Sequence, residues 1–255
     1  MIDNLNFYKN DILIIEDLEF RLFYFKELKS TNEYALDSDF NSNSIIIADK
    51  QTGGKGRQGR KWISDDDKNL YYSIILSNDS DFKKIFKLNI TSAYAICDTI
   101  KTLYGINVKV KWPNDVIYCG KKLCGILLEA KMDGNKLYKL VVGIGVNLNG
   151  NYLDEEISKR ATTLFLETGK IIDKTLFIKT FLRFFVKYLT KDCNISDKWN
   201  SYSAFINKEI TFHYNNNVEK FIEKGINEDG ALIVEDKFGR VKTVYYGEIG
   251  YDFGH

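Results

Sequence analysis

The chain has 255 residues, 44% apolar and 14% aromatic, and its 36 Lys+Arg against 35 Asp+Glu leave a formal charge of +1. That content suits one large domain, or a large and a small one, and excludes a disordered chain. The charge balance argues against a dedicated DNA- or RNA-binding protein, which carries a global basic bias.

The N-terminus (MIDNLNFYKND) lacks the basic-then-apolar order of a signal peptide, and no apolar run reaches the ~18 residues needed to cross a bilayer. Residues 20–25 (FRLFYF) read as a short strand. Ser30 and Glu33 have the S-x-x-E spacing of a capping box, so a helix is expected to start here. Residues 45–48 form a β-branched strand that leads into a glycine-rich loop, and residues 69–77 (NLYYSIILS) form another strand. Ile85, Leu88, Ile96, Ile100 and Leu103 recur at helical spacing and predict a helix over 83–104. Strands are expected at 108–111, 125–130 and 138–147, and a strong helix at 174–190. After about Ile206, short strand-like segments split by Gly, Asn and Asp suggest a small all-β barrel of about 50 residues. The division is therefore read as 1–205 and 206–255.

Four cysteines (Cys97, Cys119, Cys124, Cys193) form no C-x-x-C, and the only histidines are His213 and His255. No structural zinc is expected; free, mostly buried thiols fit a reducing cytosol. The expectation is a cytoplasmic protein with no membrane partner.

Four segments carry chemistry. In GGKGRQGRKW (53–62) the glycines at 54, 56 and 59 satisfy G-x-G-x-x-G. A dinucleotide fold needs a helix next, to hold the pyrophosphate; here a tryptophan, a polar turn and a strand follow, so NAD is not expected. The loop lacks the Gly-Lys-Ser/Thr of a phosphate-binding P-loop. Its glycines still let backbone amides approach an anion, Arg57 and Arg60 offer forked donors, and Lys55 and Lys61 add charge. The bland reading is a solvated basic loop. The second segment, KWPND (111–115), contains the chain's only proline, Pro113, which should end a strand and present Asn114 and Asp115. Asp115 could serve a magnesium–phosphate unit or take a proton from an amine, or the segment could be an Asx-type turn. The third, GKKLCGILLE (120–129), resembles a hairpin whose second strand begins with a lysine. The fourth, GIGVNL (143–148), is a buried strand whose glycines suggest close approach of a ligand or backbone.

Together and in this order, with Ser30-Thr31-Asn32, Gln51 and the C-terminal GALIVED…YYGEI, these segments resemble the biotin–protein ligase family over almost the whole chain. The resemblance implies an α+β fold: a class II synthetase-like catalytic domain with a mixed or antiparallel sheet and helices, plus a C-terminal SH3-like barrel. It implies that ATP activates biotin to biotinyl-5′-AMP, releasing pyrophosphate. A lysine of the biotin carboxyl carrier domain of acetyl-CoA carboxylase then attacks, releasing AMP. The carboxylate is already a nucleophile, so positioning two anions and neutralising their charge is the main task, which cations and magnesium suit.

Residue by residue, the resemblance gives Ser30, Thr31, Asn32, Gln51, Gly54, Lys55, Arg57, Lys122, Gly125 and Gly143 to biotin. It gives Arg57, Arg60, Trp62, Lys111, Asn114 and Asn147 to ATP or the adenylate. Lys122, Arg57 and Asp115 are the expected catalytic residues, with Asp115 also the magnesium position. Lys55 stands where the family usually has the first arginine of the loop. Gly-Tyr-Asp follows Gly247-Glu248-Ile249, where some relatives place an arginine. About 20 residues precede the first expected strand, too few for a winged helix-turn-helix, so a monofunctional ligase without operator binding is expected. Edge strands near 138–148 could pair two copies as a homodimer. Two other readings stay open: a lipoate or octanoate ligase, and a nucleic-acid-binding module.

Overall fold

A computed structural model describes residues 7–40, 42–64, 66–76, 83–134, 136–151, 154–190, 194–214 and 217–250. The first of its two sheets holds β1 (Phe7–Ile15), β2 (Leu18–Leu28), β3 (Ser44–Gln51), β4 (Leu70–Leu76), β5 (Lys109–Lys111), β6 (Asp115–Tyr118), β7 (Lys121–Asp133) and β8 (Lys136–Val146). Their order is β1-β2-β3-β4-β8-β7-β6-β5; only β2 and β3 run parallel. The helices are α1 (Thr31–Asp37), α2 (Lys83–Tyr104), α3 (Glu155–Ser158), α4 (Leu164–Thr168), α5 (Lys174–Thr190) and α6 (Ile195–Tyr202). The mixed α+β class is as expected, and α5 coincides with the 174–190 reading.

Period-two alternation sorts the two faces of the sheet. Tyr72, Ile74, Val142, Ile144 and Val146 point into the main core with α2 and α5, where Tyr72 meets Phe181 edge-on at 5.6 Å. The opposite face carries Ile75 and Val141, which pack with Ala35 of α1. Farther along that face stand Ser73, Gly143, Gly145 and Gly125: β4 pairs Ser73 with Gly143, and β7 pairs Gly125 with Gly145. Small residues there leave room for the site. Ser30 caps α1, its Oγ accepting from Glu33 N at 3.4 Å. The reciprocal half of the capping box is not made, because Glu33 pairs with Lys29 and Lys55 instead.

The second sheet holds β9 (Glu209–Tyr214), β10 (Asn217–Ile226), β11 (Leu232–Glu235), β12 (Val241–Val244) and β13 (Glu248–Ile249), in the order β12-β11-β10-β9-β13. These five strands do not establish the expected SH3-like barrel. Among the described residues the sheet is open, because β13 has two residues and pairs only with β9. The expected edge at 138–148 is corrected. β8 is bonded to β4 on one side and β7 on the other, so the reason given for a homodimer falls. β1 and α6 were not foreseen. No helix among the described residues is long and apolar enough to cross a membrane. Cys97 and Cys124 are buried, Cys119 is exposed, and Cys193 lies outside the described residues.

Candidate active site

At the N-terminus of α1, side chains from three elements interlock. Gln51 Oε1 accepts from Thr31 N at 2.8 Å, and Gln51 Nε2 donates to Ser64 Oγ at 3.2 Å. Asn32 Nδ2 donates to Leu127 O at 3.1 Å and to Glu129 Oε2 at 2.8 Å. Asn32 is drawn so close to β8 that a Cβ on Gly143 would stand 2.1 Å from its Oδ1. Gly143 therefore makes room for a backbone-anchoring asparagine, rather than for a ligand directly.

The glycine-rich loop folds back on itself. Gly56 N bonds Arg60 O at 2.7 Å, Trp62 N bonds Gly54 O at 2.9 Å, and a tight turn at Arg57–Gly59 places Gln58 at φ 56°. This returns Trp62 over the strand floor. A Cβ on Gly125 would lie 2.7 Å from the indole, and one on Gly145 would lie 2.6 Å from it. These two glycines thus form a slot for the ring. Lys122 Nζ sits 5.1 Å from the ring centroid, a cation–π contact on the order of 1 kcal/mol.

KWPND is the turn of a hairpin: Lys111 ends β5 and faces Asp115, which begins β6, and the Trp112–Pro113 peptide is cis. Next comes the β6–β7 hairpin, whose turn residues Cys119 (φ 46°) and Gly120 (φ 78°) are both left-handed, as a type I′ turn requires. A bulge between Val116 and Ile117 re-aims the start of β7, and Lys122 N is held by Arg160 O at 2.8 Å. Lys122 Nζ then reaches Asp115 Oδ1 at 2.6 Å, while Lys111 Nζ lies 3.7 Å from Asp115 Oδ2. Burial lowers Lys111 from 10.5 to about 8, with Asp115 pulling the other way.

The second sheet closes the site. Trp112 Nε1 donates to Gly230 O at 3.0 Å, Lys111 Nζ to Ile249 O at 2.6 Å, and Arg57 Nη2 to Gly247 O at 3.1 Å. Arg60 forms an ion pair with Glu248. The loop thus meets the Gly247 carbonyl and the Glu248 carboxylate, while the Ile249 carbonyl takes Lys111; Tyr251 and Asp252 lie outside the described residues.

The result is a cavity of about 360 Å³. Its walls include Ser30, Thr31, Asn32, Gln51, Lys55, Arg57, Arg60, Trp62, Lys111, Asn114, Asp115, Lys122, Gly125 and Gly143. These residues come from segments more than 100 positions apart, and Lys61 joins them as a further cation. Two expected residues stand off the wall. Gly54 is packed against Ser64 and the Trp62 carbonyl, while Asn147 Nδ2 donates to Thr162 O at 3.1 Å. Both support the walls. Gly145 of GIGVNL also lines the cavity, as do His213 and Glu248, which were not foreseen as site residues. Among the described residues, Arg57 Nη1 and Trp62 Nε1 are buried donors with no hydrogen-bond acceptor. Asp115 is the expected magnesium ligand, but its carboxylate is committed to two ammonium groups, and Glu248 is paired with Arg60. The donor set therefore does not fit a resident divalent cation.

A basic cavity with a separate polar niche suits an acid joined to a phosphate ester. The model of the Biotin/lipoate A/B protein ligase family matches residues 24–147. The Bifunctional ligase/repressor BirA of Bacillus subtilis is 32% identical over 238 residues, 89% of this chain and 73% of that protein. The Biotin–[acetyl-CoA-carboxylase] ligase of Paracoccus denitrificans is 28% identical over 223 residues, 83% of this chain and 92% of that one. Among solved structures, the biotin protein ligase of Aquifex aeolicus in complex with biotin and ATP has a TM-score of 0.79 at 30% identity, covering 90% of this chain and 97% of that one. The chain belongs to the biotin protein ligase family.

Proposed function

We propose that the enzyme joins biotin to ATP as biotinyl-5′-AMP, releasing pyrophosphate. It then transfers the biotinyl group to a lysine of the carrier domain of acetyl-CoA carboxylase, releasing AMP. The carrying observation is the cavity itself: Lys55, Arg57, Arg60, Lys61, Lys111 and Lys122 line it, and two buried donors in it have no acceptor among the described residues. In a chain of net charge +1, so local a concentration of cations fits an anionic reaction centre. Ser30, Thr31 and Gln51 form the polar niche for the ring of the acid. Lys122 neutralises the oxygen charge where carboxylate and phosphate meet. Arg57, Arg60, Trp62, Lys111 and Asn114 face the nucleotide. Asp115 holds Lys122 in place. Magnesium enters this proposal only as a companion of the ATP phosphates. The cytoplasm, which supplies ATP, is the compartment this chemistry calls for.

The test is transfer. Incubation with ATP, biotin and an apo-carrier domain is expected to add one biotinyl mass to one lysine; lipoate in place of biotin is expected to add nothing. Equal transfer of both acids would favour the lipoate reading.

Lys111 gives a pH signature. Its ammonium is complete well below pH 8 and is lost as pH rises through about 8. kcat/KM for ATP, which reports the free enzyme, is therefore expected to fall above that point. Stability should move the opposite way. Between about 8 and the ordinary 10.5 the unfolded chain binds more protons than the folded one, so this group's burial penalty is relieved as pH rises. A melting temperature that holds or rises while kcat/KM falls would fit Lys111; a flat rate profile from pH 7 to about 9.5 would refute it.

A further inference from the structure

We infer that Ser73, which lies behind the cavity surface, is a positioning residue: it fixes the polarity of the Thr31 hydroxyl and so selects an acid whose ring carries N–H donors. The inference rests on the reading of the cavity given above as a biotin site, and the order of tests below separates the two.

Ser73 is fully buried on β4 and does not line the cavity. Its Oγ lies 2.7 Å from Thr31 Oγ1 and 2.6 Å from Asn32 Oδ1. A hydroxyl has one proton, so it cannot serve both. Asn32 decides which contact receives it. Its amide nitrogen faces two acceptors, Leu127 O and Glu129 Oε2, so its Oδ1 faces Ser73 and can only accept. The Ser73 proton therefore goes to Asn32. The 2.7 Å contact with Thr31 then needs the Thr31 proton. Thr31 has a single hydroxyl proton, so it goes to this shorter contact and not to Gln51 Oε1 at 3.2 Å, an oxygen that keeps its bond from Thr31 N at 2.8 Å.

The chain of donation thus runs from Thr31 through Ser73 and Asn32 to Glu129. Thr31 is left with lone pairs only, so it can accept from a ligand and cannot give. Ser30 is the complement: its Oγ accepts from Glu33 N, and its own proton remains available to a ligand. A giving and a taking hydroxyl on adjacent residues match a group with a carbonyl beside an N–H. The cyclic urea of biotin has one; the dithiolane of lipoate has none.

The wild type is assayed first. Preference for lipoate over biotin would overturn the functional reading, before any variant is made. Given preference for biotin, Ser73→Ala is expected to raise the KM for biotin roughly tenfold or more, and to lower the preference over lipoate by a similar factor. The KM for ATP should stay within about twofold, which general loosening of the site would not respect. An unchanged biotin KM and preference would overturn the inference. Should Ser73→Ala fail to fold, the wild type is titrated with biotin and with its ring N-methylated analogue. A loss of about tenfold or more supports an accepting Thr31, and equal binding refutes it.

Discussion

Lys122→Ala is expected to slow adenylate formation by about 100- to 1,000-fold, the scale seen when a single charge-stabilising donor is removed from a reacting oxygen. The lysine is aimed by three independent constraints: the β6–β7 bulge, the bond from Lys122 N to Arg160 O, and the 2.6 Å ion pair with Asp115. Its removal also leaves Asp115, 6% exposed, with Lys111 at 3.7 Å as its nearest ammonium, so some loss of stability should accompany the loss of rate. Lys122→Arg separates the effects. It keeps a charge for Asp115 and should restore the melting temperature, while its bulkier fork displaces the donor and leaves the rate low. Near-normal adenylate formation in Lys122→Ala would remove Lys122 from the mechanism.

Arg57→Gly is expected to release biotinyl-AMP roughly 10- to 100-fold faster, because one or two charged hydrogen bonds to the intermediate are lost. Arg57 has one nitrogen on Gly247 O and a second, Nη1, buried without an acceptor among the described residues. It therefore ties the loop to the residue that precedes β13 and keeps a donor for the adenylate. Escaped adenylate acylates exposed lysines, so bystander proteins mixed with the variant, ATP and biotin should become labelled. Bystander labelling no greater than with wild type would show that Arg57 does not retain the intermediate.

Much of this arrangement was legible in the sequence. The helical spacing of 83–104 and 174–190 and the Ser30 cap gave three helices, because each signal is local. KWPND and the loop at 53–62 marked the site, because proline and glycine constrain the backbone wherever they stand. Less local features were hidden. β1 carries Lys9, Asn10 and Asp11 in its middle, so it does not read as a strand until β2 pairs with it. The glycines at 143 and 145 announced a close approach, but not that Asn32 and Trp62 were what approached. Glu248 reaches Arg60 across 188 positions, a contact that no spacing rule encodes. Ser73 looked like one small residue in an apolar strand. Its role emerges only from the proton count with Thr31 and Asn32.

Exchange of labelled pyrophosphate into ATP tests most directly whether the cavity makes an acyl-adenylate from biotin and ATP. With the wild-type chain and no carrier domain present, exchange is expected to depend on biotin, and to vanish when biotin is omitted or Lys122 is replaced by alanine. Biotin-independent exchange, or no exchange from a folded enzyme supplied with biotin, ATP and magnesium, would contradict the account.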